Sequence, residues 1–309
     1  MQSLYSFFMS GSDDISKGER EMLRSIDKVY DLYIYLLLLL IEINDFARIK
    51  SEENKLKRLP TKDDLAPNTR FIENSFIKKL AAERALLRES MNRKLGWQND
   101  REIVKIIYNE TIKSSSYIGY LNSGDNTFAS EKGYIIKLFK KQIAENEHLR
   151  SILEEKSIYW TNDIDFVNGM VIKTIKSYAE NNADDNDPAH TGFLFPLWKD
   201  EEDDRNFVID LFRKTVLHSM EYEKLIAAKT ENWEMDRISM MDVLLMKMAL
   251  TEFQYFPSLP VKVSINEYIE IAKEFSTEQS GTFINGILDK LLEDLRNKDM
   301  VQKTGKGLL

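Results

Sequence analysis

Residues 264–292, SINEYIEIAKEFSTEQSGTFINGILDKLL, hold two apolar stripes at helical spacing, separated by a polar break. Ile265, Ile269, Ile271 and Ala272 give the first stripe an inner face that Phe275 closes; Phe283, Ile284, Ile287, Leu288, Leu291 and Leu295 form the second. Ser264 and Glu267 have the S-x-x-E spacing of a capping box, which predicts a helix start at Ser264. Ser280 stands where it would cap the second helix after the loop Ser276-Thr277-Glu278-Gln279. Gly286 costs about 1 kcal/mol against alanine inside a helix, so it predicts a close approach by a neighbour. Asn285 and Asn266 read in two ways: as partners for backbone groups at a loop or helix end, or, with Phe283, as the edge of a ligand platform where helix N–H groups meet a phosphate.

The same 3.6-residue period extends outward over most of the chain. Leu4, Phe7 and Phe8 predict a first helix over residues 1–9, ended by Ser10-Gly11-Ser12. A second, over 16–50, carries Met22, Leu23, Ile26, Val29, Tyr30 and Tyr33 before the run LYIYLLLLLI at 32–41 makes it apolar on most faces. That run falls well short of the roughly 20 residues that span a bilayer, so it predicts a helix covered by protein on several sides. Helical patterns recur over 71–92, 100–114, 131–144, 164–179, 206–230 and 235–256, the last closed by Pro257 and Pro260. Two polar stretches interrupt them. SEENKLKRLPTKDDLAPNTR at 51–70 reads as a linker or exposed loop. ENNADDNDPAHTGFLFPLWKDEEDDR at 180–205 contains Phe193, Leu194, Phe195, Leu197 and Trp198, which read as an anchor on a neighbouring surface.

The 309 residues suffice for one large domain or two ordinary ones, and 12 glycines, 6 prolines and 30% charged residues favour an all-α protein. With no cysteine, disulfides, thiolate zinc sites and cysteine nucleophiles are excluded; cytoplasm is the expected compartment, and the N-terminus lacks the basic start and cleavage site of a secretory signal. A formal charge of −8 argues against coating nucleic acid through the overall field, so any RNA contact must be local. No G-x-G-x-x-G, Walker lysine motif or Ser-His-Asp grouping appears, and neither a cofactor nor a catalytic residue is assigned. Glu145-x-x-His148 has the spacing of a di-iron ligand pair, but with three histidines in the chain it reads as surface residues rather than metal ligands.

Several blocks resemble the NusB transcription antitermination factors in order and spacing: residues 232–238 (NWEMDRI), 241–249 (MDVLLMKMA), 260–267 (PVKVSINE), Ala272-Lys273 and 283–289 (FINGILD), with MQSLY at 1–5 similar to the family's first helix. The resemblance implies an all-α fold, a NusB-like double helical bundle, with residues 1–50 as its first two helices, 205–309 as its C-terminal region and 51–204 as a large helical insertion. It implies a non-enzymatic adaptor. The partners would be boxA-type single-stranded RNA, the small-subunit ribosomal protein called NusE in this setting, and the transcription elongation complex on ribosomal RNA operons. A homodimer is also known among family members, and no membrane is involved. Carried over by matching position, Gln2, Lys247, Gln279, Thr282 and Phe283 would face RNA, and Tyr5, Asp236 and Asp242 the ribosomal protein. Phe283 would stack on a base or belong to the core; Lys247 would pair with a phosphate or be an ordinary solvated helix residue.

Three departures accompany the resemblance. The family usually has an Arg-rich stretch before its first helix, whereas this sequence starts at Met1 inside that helix, so either RNA affinity is weaker or the true start lies upstream; Lys247 stands where arginine is common; and the resemblance says nothing about the insertion. Phe166-Val167-Asn168-Gly169 in that insertion echoes Phe283-Ile284-Asn285-Gly286, too briefly to establish a repeat. A rival reading is a protein–protein scaffold that keeps the fold, has lost RNA binding and acts through its insertion.

Overall fold

The computed structural model describes residues 1–179, 193–230 and 238–304. Among these every regular element is helical, in the order α1 (Gln2–Met9), α2 (Ile15–Lys55), α3 (Lys62–Leu65), α4 (Ser75–Ala82), α5 (Arg84–Arg93), α6 (Arg101–Lys113), α7 (Ser115–Asn122), α8 (Phe128–Leu138), a π-helical turn (Phe139–Ala144), α9 (Glu147–Lys156), α10 (Ile164–Ser177), α11 (Glu201–Leu217), α12 (Ser219–Lys229), α13 (Met240–Tyr255), α14 (Val261–Phe275) and α15 (Ser280–Asn297). The fold is all-α, as the periodicity predicts. The chain divides into two compact units, one of residues 1–24 and 198–309, the other of residues 25–197; one division falls inside α2.

In the unit of residues 25–197 the leucine run of α2 is the core. Leu32, Ile34, Leu36, Leu37, Leu39 and Ile43 are fully buried, so a helix apolar all round is covered all round. Groups from several directions bond to it. Tyr33 shares a hydrogen bond of 2.7 Å with Thr174 of α10, Trp97 Nε1 donates to the Tyr35 carbonyl at 2.9 Å, and Trp160 Nε1 donates to the Lys28 carbonyl at 2.7 Å. The Tyr35 ring stacks on Trp97 at 3.9 Å, and its hydroxyl donates to Asp100 at 2.7 Å; burial, then Asp100, pushes that phenol well above its usual range. Phe193 and Leu194 are buried, Phe193 edge-on to Tyr178 at 5.0 Å, so part of the predicted anchor seats in this unit's own core. Residues 180–192 of that predicted break lie outside the described residues.

Several boundaries differ from the sequence expectation, mostly at caps. The pattern over 71–92 is two helices, because Asn74 caps α4, its side chain accepting from Ile77 N, and Glu83 takes an extended conformation. α7 and α9 went unread because their polar openings look like loop; they are the caps Ser114 and Asn146. The acidic run at 201–204, read as part of a break, is the first turn of α11, where carboxylates complement the positive end of the helix dipole and Asp200 caps it. The single helix expected over 206–230 is α11 and α12, divided at His218.

Asn74 also donates to the Tyr120 hydroxyl at 3.0 Å, beside the buried Glu131 that accepts from Ser75 N at 2.7 Å and from Tyr120 at 3.2 Å. Replacing Asn74 by alanine removes a cap and leaves buried partners unpaired, an expected loss of about 2 kcal/mol. For a unit of this size that lowers the melting temperature by about 4–8 °C. Asn109→Ala, at an exposed position, should leave it within error by scanning calorimetry.

Candidate nucleic-acid interface

The unit of residues 1–24 and 198–309 is organised on α13. From Leu244 to Phe253 every residue of this helix is buried, and α1, α11, α12, α14 and α15 all pack on it. Three polar side chains break the apolar run and Asp242 precedes it, each with a partner on a different neighbour. Thr251 shares a 3.0 Å hydrogen bond with Thr215 of α11, and Glu252 accepts from the Tyr268 hydroxyl of α14 at 2.6 Å. Burial, then Glu252, drives the Tyr268 phenol far above its usual range. Lys247 Nζ donates to Ser219 Oγ of α12 at 2.9 Å, and Asp242 accepts from two serine hydroxyls around the start of α15. The first turns of α2 close the unit: Glu19 and Arg213 form a two-pronged ion pair at 2.6 and 2.8 Å, while Gly18 admits the rings of Phe7 and Phe212, which a β-carbon would meet at 2.7 Å.

The loop and helix start that opened the sequence reading differ in detail from the expectation. α14 begins at Val261, with Pro260 (φ −64°, ψ 135°) before it, so Ser264 lies inside the helix, buried, with its hydroxyl unpaired. A proline without an N–H ends the preceding loop three residues earlier than the capping-box pattern suggests. Ser280 is the first residue of α15 and makes no capping bond. Gly286 is exposed with open space around it, so the expected close approach is not there; at Gly281, which is buried, a β-carbon would meet Ile269 Cγ2 at 3.4 Å, an ordinary contact. Asn285 meets no backbone end; its amide reaches Asp289 one turn on, at 3.4 Å.

The residues read as RNA-facing fall into two groups. Gln279 and Thr282 are exposed and Phe283 is half-buried, all on the end of the loop and the first turn of α15, with Phe283 N bonded to the Gln279 carbonyl at 3.1 Å. Lys247 belongs to the second group, roughly 140° around α13 from Asp242 at five residues' separation. It is 8% exposed; its Nζ is 3.0 Å from Glu223 and 5.3 Å from the Phe8 ring of α1. Gln2, half-buried, opens that same helix α1. Of the residues read as facing the ribosomal protein, Tyr5 is 37% exposed, Asp242 is 6% exposed, and Asp236 lies outside the described residues. Sequence reasoning missed Ser219 and Glu223 and gave Phe8, Ser276 and Ser280 other roles. The signal present was an acid and a lysine inside an otherwise apolar helix, each of which requires partners.

The NusB family model matches residues 170–293, from within α10 to α15. The transcription antitermination protein NusB of Salinibacter ruber is 40% identical over 139 residues, covering 45% of this chain and 86% of that relative. The chain belongs to the NusB family. The NusB protein of Halalkalibacterium halodurans is 42% identical over 98 residues, 32% of this chain and 73% of the relative, and that of Chloroherpeton thalassium 37% over 105 residues, 34% and 50%. No solved structure matches the chain. The NusB-like resemblance read from the C-terminal blocks therefore holds. Among the described residues no helix is long and apolar enough to cross a membrane.

Tyr268→Phe tests the polar keys of α13. It takes one donor from a buried carboxylate and is expected to cost about 2 kcal/mol in chemical denaturation, whereas Tyr255→Phe, near the surface, should cost less than half of that.

Proposed function

We propose that this chain is a transcription antitermination factor that binds boxA-type single-stranded RNA together with the small-subunit ribosomal protein NusE, within the elongation complex on ribosomal RNA operons in the cytoplasm. The observation that carries this reading is the loop and first turn of α15 in the NusB-like unit, which presents an aromatic ring, an amide and a hydroxyl side by side. Phe283, half-buried, would stack on an unpaired base, and Gln279 and Thr282 would supply hydrogen bonds to base edges or 2′-hydroxyls. Tyr5, exposed on α1, and Asp236 serve the ribosomal protein. The unit of residues 1–24 and 198–309 has 18 Lys and Arg against 25 Asp and Glu, which suits a basic protein partner better than bare RNA. Residues 51–204 would be a helical insertion, of which residues 170–204 fall within the family match.

The scaffold reading is favoured by one observation: Lys247 is already held by Glu223 and Ser219. RNA binding measured with and without the ribosomal protein, against a scrambled RNA, separates the two. Selective binding strengthened by the partner supports the adaptor; none with either RNA supports the scaffold.

Phe283→Ala is expected to weaken RNA affinity by about 1–3 kcal/mol if the ring stacks. Glu223→Gln frees Lys247 for a phosphate, so binding should tighten and the dependence of log K on log salt should steepen by about 0.7, the single-strand increment for one phosphate. An unchanged slope would assign Lys247 to packing.

A further inference from the structure

The carboxylate of Asp242 lies beneath the RNA-facing segment, not on it. Oδ1 accepts from Ser276 Oγ at 2.6 Å and Oδ2 from Ser280 Oγ at 2.9 Å. Ser276 is the residue at which α14 ends and Ser280 is the first residue of α15, so the two oxygens hold the two ends of the connecting loop. The loop closes on the same point: Thr277 N and Thr277 Oγ1 lie 3.2 and 2.8 Å from Ser280 Oγ. Each serine hydroxyl has one hydrogen, and a buried carboxylate without donors would carry a large desolvation cost. The arrangement is stable only with both serines turned inward, which fixes the direction in which the next residues leave.

We infer that Asp242 is a positioning residue for RNA: it latches the loop at 276–279 and the first turn of α15 to α13, and thereby sets the placement of Gln279, Thr282 and Phe283. This rests on the RNA reading of that face. It also gives Asp242 a task different from a direct contact with the ribosomal protein: the residue is 6% exposed and both carboxylate oxygens already accept from serines. Orienting donors and a ring before RNA arrives removes an ordering cost from binding.

The latch and simple electrostatics make opposite predictions. Removing a negative charge near phosphates should tighten RNA binding; removing a latch should weaken it. In the full chain, Asp242→Ala should speed hydrogen exchange of the amides at 276–283 and weaken binding of a boxA-type RNA about tenfold with the salt slope unchanged. Asp242→Asn should recover most of the affinity, since its amide still accepts from one serine and donates to the other. The Ser276→Ala/Ser280→Ala pair, which keeps the charge, should match Asp242→Ala, and the combined variant should lose no more than either alone. That pair also serves if Asp242→Ala does not fold. Tighter binding in Asp242→Ala, unchanged exchange, or weakened affinity for the ribosomal protein alone overturns the inference. If the unaltered chain binds no RNA, the RNA reading falls, and exchange at 276–283 decides whether the latch itself stands.

Discussion

The unit of residues 1–24 and 198–309 depends on burying α13 from every side. An apolar cylinder is satisfied by any close packing, so hydrophobic burial alone does not fix which helix lies where or at what register. The four buried polar residues supply that information. Lys247, Thr251, Glu252 and Asp242 select α12, α11, α14 and the start of α15 in turn, and a neighbour that slid by one turn would leave a polar group unpaired in a low-dielectric interior. These residues cost stability in the wrong arrangement more than they add in the right one, which is how they specify a single packing.

The other unit solves the same problem with a different chemistry. The buried stretch of α2 from Leu32 to Leu40 has no charged residue, and its neighbours are fixed by aromatic side chains that carry one polar atom each: Tyr33, Tyr35, Trp97 and Trp160. Large rings supply contact area while a single hydroxyl or indole N–H sets direction. Charge is also unequally divided. Residues 25–197 hold 25 Lys and Arg against 26 Asp and Glu, so almost all of the chain's net negative charge belongs to the unit of residues 1–24 and 198–309.

Much of this was legible in the sequence, and the parts that were not share a cause. Helices announced themselves by the periodicity of Leu4 and Phe7, of the leucine run, and of Ile284, Ile287, Leu288 and Leu291. Boundaries were misread where one residue type serves two purposes: Ser264 resembles a cap and is interior, while Ser114 and Asn146 resemble loop and are caps. A serine's role depends on whether its hydroxyl finds a backbone N–H, a carboxylate or nothing, and sequence spacing does not decide among these. Lys247 and Asp242 were named only through the family resemblance, and their burial was not read from the sequence. Their partners Glu223 and Ser276 lie 24 and 34 residues away, where no local pattern reaches.

The charge distribution bears on why an RNA adaptor of this kind would act jointly with another protein. Counterion release is the main sequence-independent source of RNA affinity, and it requires cations free to meet phosphates. Here the unit carrying the proposed RNA face is acidic, and the lysine nearest to that task by position is held by Glu223. Affinity on the proposed reading must then come from stacking and directional hydrogen bonds at the start of α15, terms that discriminate among bases but are individually small. A basic partner docked on the same acidic unit would contribute the missing phosphate attraction and neutralise the field that repels RNA. On the proposed reading joint binding follows from the electrostatics: this chain would read the bases, and its basic partner would hold the backbone.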